Sequence, residues 1–326
     1  MGGLNVILPT EGYTVTDPMK IKVTKQKCTL LKNCKGVIQS DKYIVGLTGR
    51  RAQVVRKSDM TLVGVIEGLS YVYRGDISPD EKTLLLGSTD RYGYLYSLPN
   101  LTPVSRARIR GNEVDRVLEG LGCFSPDGKK VYFAVPIATG TREIREYDSV
   151  TFEFKRVVHE LDGMVIREIQ RLKNGIFLSG FCRGDEPYDI AVLYENGSVR
   201  KVKFDPQRSY DIIRYDEESG LIHCVELFDV DYYTTDGKEA VIDVHGGDED
   251  IITSVCRTES GRYVCETSGF GGFTIRDVRT SEIVYNDSRA QYAMTMTRLP
   301  GNRFIVVGSS GGDCIYTVEE PVAEQE

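Results

Sequence analysis

A hydrophobic strand preceded by a turn recurs along this chain at nearly constant spacing. The strand begins at Tyr43, Thr83, Val131, Ile176, Leu221, Tyr263 and Phe304, at intervals of 40, 48, 45, 45, 42 and 41 residues. Its turns include Ser40-Asp41-Lys42, Ser78-Pro79-Asp80, Ser125-Pro126-Asp127-Gly128, Lys173-Asn174-Gly175 and Leu299-Pro300-Gly301. A period in the low forties with four short strands per unit makes one small sheet that buries its faces only against neighbouring copies. Seven registers predict an all-β fold, a seven-bladed β-propeller of four-stranded antiparallel blades. The repeat runs almost end to end, so residues 1–326 read as a single domain although the length would suit two.

The last repeat is short of a strand. Residues 303–308 and 313–318 supply its second and third strands, and only the acidic stretch 319–326 follows. In other repeats the fourth strand begins about 22 to 29 residues ahead of the next second strand, with 22 from Thr61 to Thr83 and from Glu282 to Phe304. A comparable step back from Tyr43 reaches Lys20-Ile21-Lys22-Val23-Thr24-Lys25, an alternating polar and apolar segment. This N-terminal strand is expected to pair with residues 314–318 and close the ring. Lys20, Lys22 and Lys25 would then face Glu319 and Glu320, or simply protect an edge.

The formal charge of -7 argues against a general affinity for nucleic acid or anionic lipid, which needs a basic excess. No run of 18 apolar residues is present, and the first ten residues lack the basic and apolar regions of a secretory signal. Neither nucleic acid nor membrane is expected as a partner. The eight cysteines form no CxxC pair and several lie in apolar strands, which points to free buried thiols and a cytoplasmic location.

In the sixth repeat, His245-Gly246-Gly247 with Asp248, then Thr253-Ser254-Val255, then residues 274–280 resemble in turn the Gly-His and turn, the first strand, and the third strand and turn of a WD40 repeat. The Ser-Pro-Asp turns at 78–80 and 125–127 fit the same family. The chain has no Trp, and Arg276-Asp277 stands where the Trp-Asp pair would be. The resemblance implies a propeller that scaffolds protein partners.

Catalytic chemistry finds few residues to build on. Three histidines, His159, His223 and His245, fall in separate repeats. His223 reads as an interior strand residue, His245 as a turn residue and His159 as the entrance of a loop. Asp229 and Asp231 fall in a predicted loop and are weak candidates for a metal at the ring's mouth, and Asp185 with Glu186 resemble them. The Gly-rich loops at 269–272 and 309–312 lie between strands, not before a helix, so they read as hairpin turns rather than phosphate cradles. No metal or cofactor is expected.

The connections between second and third strands, and between successive repeats, are longer and more varied than the others. They are expected to share one face and to carry Arg50, Arg51, Arg91, Tyr92, Arg142, Arg183, Tyr232 and Phe270. Arginine and aromatic side chains are frequent interface residues, through bidentate pairing and low-entropy burial. These observations predict a non-enzymatic scaffold that binds a protein or peptide on that face. Two alternatives stand beside it: a propeller enzyme or metal-dependent protein holding a small anionic ligand with Arg50, Arg91 and Arg142, and a structural subunit of a larger assembly.

Overall fold

The computed structural model describes residues 21–31, 34–109, 121–138, 141–182, 188–204, 210, 212–216, 220–226, 229–234, 244–245, 252–269, 272–290, 293, 295–308 and 313–321. They form β-strands, numbered β1 to β28 along the chain, in seven four-stranded antiparallel sheets. The first sheet holds β2 (Gly36–Gln39), β3 (Tyr43–Leu47), β4 (Ala52–Arg56) and β5 (Thr61–Ile66). The second holds β6 (Val72–Ile77), β7 (Thr83–Ser88), β8 (Tyr92–Ser97) and β9 (Pro103–Arg108). The third is β10 (Gly122–Phe124), β11 (Lys130–Ala138), β12 (Thr141–Asp148) and β13 (Phe154–Leu161). The fourth is β14 (Met164–Arg171), β15 (Gly175–Cys182), β16 (Ile190–Tyr194) and β17 (Val199–Val202). β18 (Ile212–Asp216), β19 (Leu221–Glu226), β20 (Asp229–Tyr233) and β21 (Val244–His245) make the fifth. The sixth is β22 (Ile252–Arg257), β23 (Tyr263–Ser268), β24 (Gly272–Asp277) and β25 (Ile283–Asp287).

The seventh sheet takes its outer strand from the start of the chain. Its order is β1 (Lys22–Lys27), β28 (Cys314–Glu319), β27 (Arg303–Val307) and β26 (Thr295–Leu299). β1 runs antiparallel to β28 from Lys22 opposite Glu319 to Lys27 opposite Cys314. Lys22 meets Glu319 at 3.1 Å, an exposed pair worth at most about 1 kcal/mol.

The turns explain why the repeat was legible. Ser78 Oγ donates to Asp80 at 2.7 Å, and the amides of Lys82 and Thr83 donate back to Asp80 and to Ser78 Oγ. Ser125, Asp127, Lys129 and Lys130 repeat the arrangement. Thr258 and Ser260 use other residues for the same purpose, accepting from the amides of Tyr263 and Arg262. In each case a hydroxyl or carboxylate replaces a missing backbone partner, so the chain reverses just ahead of the second strand.

That second strand is internal to its sheet and covered on both faces, which is why it reads as a continuous apolar run and not as an alternation. Ile44 to Leu47, Leu84 to Leu86 and Phe304 to Val307 are all buried. The chain divides into two compact units, residues 36–242 and residues 1–35 with 243–326. Within residues 36–242 each sheet packs on the next, with Val45, Val54, Leu84 and Leu86 between the first and second and Phe124, Phe133, Leu85 and Leu95 between the second and third. Further clusters join the third to the fourth and the fourth to the fifth. In the other unit Phe273 and Tyr316 stack at 4.0 Å between the sixth and seventh sheets.

First strands carry a polar tie as well. Asp76 on β6 accepts from the Phe124 amide of β10 at 2.9 Å and from Arg171 of β14 at 3.2 Å, and Arg171 also donates to the Ile77 carbonyl at 2.8 Å. One carboxylate thus joins three successive sheets of this unit.

Glu266 on β23 lies 3.7 Å from Arg276 on β24, both almost fully buried. Burial pushes the Glu266 carboxyl up to about 7 against the pull of Arg276. Between the ordinary carboxylate value near 4.5 and about 7, the folded chain holds a proton that the unfolded chain releases. Stability is therefore expected to fall as pH rises through this window, by on the order of 1–3 kcal/mol. Melting temperatures at several pH values should show this slope in the wild type and lose it in Glu266→Gln. An unchanged slope in the variant would assign the effect elsewhere.

Candidate functional site

In an antiparallel sheet whose strands follow in order, successive connections leave alternate ends. The β3–β4 connection, the link from β5 to β6 and the β7–β8 connection therefore share one end. The structure ties them together through the backbone. The amides of Leu69 and Val72 donate to the carbonyls of Arg50 at 3.0 Å and Gly49 at 2.9 Å. Ser88 Oγ donates to the Ser70 carbonyl, and the Thr89 amide reaches the Tyr71 carbonyl at 3.4 Å. These bonds use main-chain groups of the loops, with Leu69 buried and Arg50, Arg51, Glu67 and Tyr71 left exposed.

The first two loops enclose an open hollow of about 570 Å³ lined by Arg50, Arg51 and residues 67–71. Arg50 and Arg51 are exposed, and Glu67 in the same wall is not within ion-pair distance of either. Gly49 and Gly68 have φ of 88° and 73°, which the tight loop paths require. Tyr71 shares the left-handed region at φ 51° while its side chain is 55% exposed. Few bulky residues adopt that region.

Beside the hollow, the β7–β8 turn is built around Asp90. Its carboxylate accepts from the Tyr92 amide at 3.1 Å and from the Tyr94 hydroxyl at 2.9 Å, while its own amide donates to Ser88 Oγ. Burial together with Asp90 pushes the Tyr94 hydroxyl up to about 12, so it remains a donor. The turn carries Arg91 at its tip with φ 69°. Tyr92 follows, with the Arg106 guanidinium 5.3 Å over its ring. Within a chain of net charge -7, this end of the first two sheets gathers Arg50, Arg51 and Arg91 together with Glu67 and Asp90.

Other candidates fall elsewhere. Arg142, expected in a loop, lies on β12 and is only 1% exposed, because the β11–β12 ladder extends to Ala138 opposite Thr141 and draws the arginine into the sheet. Asp229 and Asp231, also expected in a loop, belong to β20, where the ladder with β19 runs from Tyr233 to Asp229. Asp231 accepts from the Tyr210 hydroxyl at 2.7 Å, and Tyr210 also meets the Tyr233 hydroxyl at 2.8 Å. That carboxylate orders two buried tyrosines. Among the described residues no group of three or more His, Cys, Asp or Glu side chains is placed to hold a metal. Tyr232 lies on β20 with its side chain outside the described residues, as Arg183 and Phe270 are entirely.

His159 is on β13 opposite Ile144 and not at a loop entrance, since the β12–β13 ladder continues to Leu161. His223 is buried on β19. No disulfide joins the seven cysteines described, and burial raises the thiols of Cys123, Cys224 and Cys265. Among the described residues no helix is long and apolar enough to cross a membrane. No protein-family model matches this chain, and no curated protein matches it.

Proposed function

We propose that the seven sheets are the blades of a WD40-like β-propeller, closed by β1, which acts as a scaffold for a protein or peptide partner. Consecutive packing of sheets within each unit and the pairing of β1 with β28 support the propeller reading. The binding reading is carried by one observation: three cross-tied loops at one end of the first two sheets present Arg50 and Arg51 around a hollow beside an exposed Tyr71. Variable loops on a rigid frame are where recognition is placed, and exposed arginines beside a fixed aromatic suit a partner segment bearing carboxylates.

The double variant Arg50→Glu/Arg51→Glu changes only exposed side chains and is expected to melt with the wild type. Captured from native lysate side by side, the wild type should retain a stoichiometric partner that the variant loses, with a drop in affinity of about tenfold or more. Equal retention by both proteins would remove this end of the sheets from the binding surface.

A further inference from the structure

The outer strands of the sheets differ in how they guard their free edges. β9 carries a proline and two arginines, β13 carries Lys155, Arg156 and Glu160, and β17 carries Arg200 and Lys201. β25 ends on Asp287, and β1 bears three lysines. Charges and prolines on an edge keep other strands from adding to it. β5, Thr61-Leu62-Val63-Gly64-Val65-Ile66, has neither, and shares with β9, β13 and β25 only an irregularity in its ladder, here between Val54 and Val55 of β4. It is six residues long, lies at the end of its sheet and leaves Leu62 and Val65 44% and 38% exposed. Its loop-side end is Ile66, opposite Ala52, so the chain leaves β5 directly into the wall of the hollow at the exposed Glu67, while Arg51 and Arg50 precede Ala52 and leave these three residues with a net charge of one positive.

We propose that β5 is a docking edge. An extended peptide adds to it as a fifth, antiparallel strand, with uncharged β-branched residues along Thr61 to Ile66 and acidic residues at its N-terminal end against Arg50 and Arg51. The polarity follows from topology: a strand antiparallel to β5 starts at the Ile66 end, where the arginines are. Two strand spacings of about 4.8 Å separate such a peptide from the line of β4, within the combined reach of an arginine and a glutamate. Main-chain pairing supplies the affinity and the charged end sets direction and register. This inference rests on the loop-binding reading above and specifies its partner.

The probe is a synthetic peptide of two glutamates followed by alternating valine and threonine, with its binding followed by fluorescence anisotropy. The wild type should bind it, and hydrogen exchange should show new protection across residues 61–66. Leu62→Lys/Val65→Lys alters exposed side chains only and should weaken binding about tenfold with its melting temperature kept. Arg50→Glu/Arg51→Glu should weaken it similarly, and replacing the peptide's glutamates with lysine should do the same. Failure of the wild type to bind, or equal binding by the edge variant, would overturn the proposal. If the edge variant nevertheless retains the lysate partner that the arginine variant loses, the docking edge is wrong while the loop surface stands. A wild-type dimer split by Val65→Lys would assign the edge to a second copy and overturn the peptide as occupant.

Discussion

Removal of residues 1–27 is expected to unfold the unit formed by the sixth and seventh sheets. β1 makes six register pairs with β28, and Ile21 and Val23 pack in the cluster that holds Tyr316 and Val318. Ladder hydrogen bonds at a net of about 1 kcal/mol each, with the burial of Ile21 at about 1.5–3 kcal/mol, place the loss on the order of 5 kcal/mol or above. That approaches the whole stability of a typical domain. Urea denaturation and limited proteolysis should show an early transition in the truncated chain, and a peptide of residues 21–28 added in trans should raise its midpoint. An unchanged midpoint in the truncated chain would show that β1 does not hold this sheet together.

Asp287→Ala is the single substitution expected to cost most. The carboxylate is 4% exposed and accepts from Lys25 at 2.5 Å, from the Tyr316 hydroxyl at 2.8 Å and from the Arg289 amide at 3.1 Å. Burial alone would raise its pKa, but Lys25 and Tyr316 hold it below the ordinary value. Removing it leaves a largely buried ammonium and a buried hydroxyl without this acceptor, at about 3–5 kcal/mol. Because the folded pKa lies below the unfolded one, the contribution is present above about pH 3.8 and is lost as pH falls below it. This window lies below that of Glu266, so the two groups bracket a stability maximum in mildly acidic solution. Lys25→Met combined with Asp287→Ala should cost less than the two single losses added, since the second change removes the stranded charge. Full additivity in chemical denaturation, or an Asp287→Ala melt equal to the wild type, would contradict the assignment.

Strand positions were legible because their signals are local. The second strands begin within a residue of the predicted starts, at Tyr43, Thr83, Lys130, Gly175, Leu221, Tyr263 and Arg303. The candidate site was legible only in part. Arg50, Arg51, Arg91 and Tyr92 lie at one end of the first two sheets, whereas Tyr71 and Ser70 of the β5–β6 link are outside the candidates that the sequence names. Its signal was an aromatic residue after a glycine in a turn. Asp76 was missed as well, since an acid in the mixed strand Val72–Ile77 shows nothing of the arginine, 95 residues away in sequence, that it meets in space.

The sequence by itself determined the number of sheets, the strands within them and the need for a strand from the N-terminal segment. Turn hydroxyls, prolines and apolar runs act over a few residues, and the offset between strands is a matter of counting. Tertiary structure alone decided which side chains face solvent. Ladders that ran further than their apolar pattern drew Arg142, Asp229, Asp231 and His159 into strands, and packing between sheets brought Asp76 to Arg171. Those outcomes depend on register and on neighbours distant in sequence, where a shift of one residue reverses the face a side chain occupies.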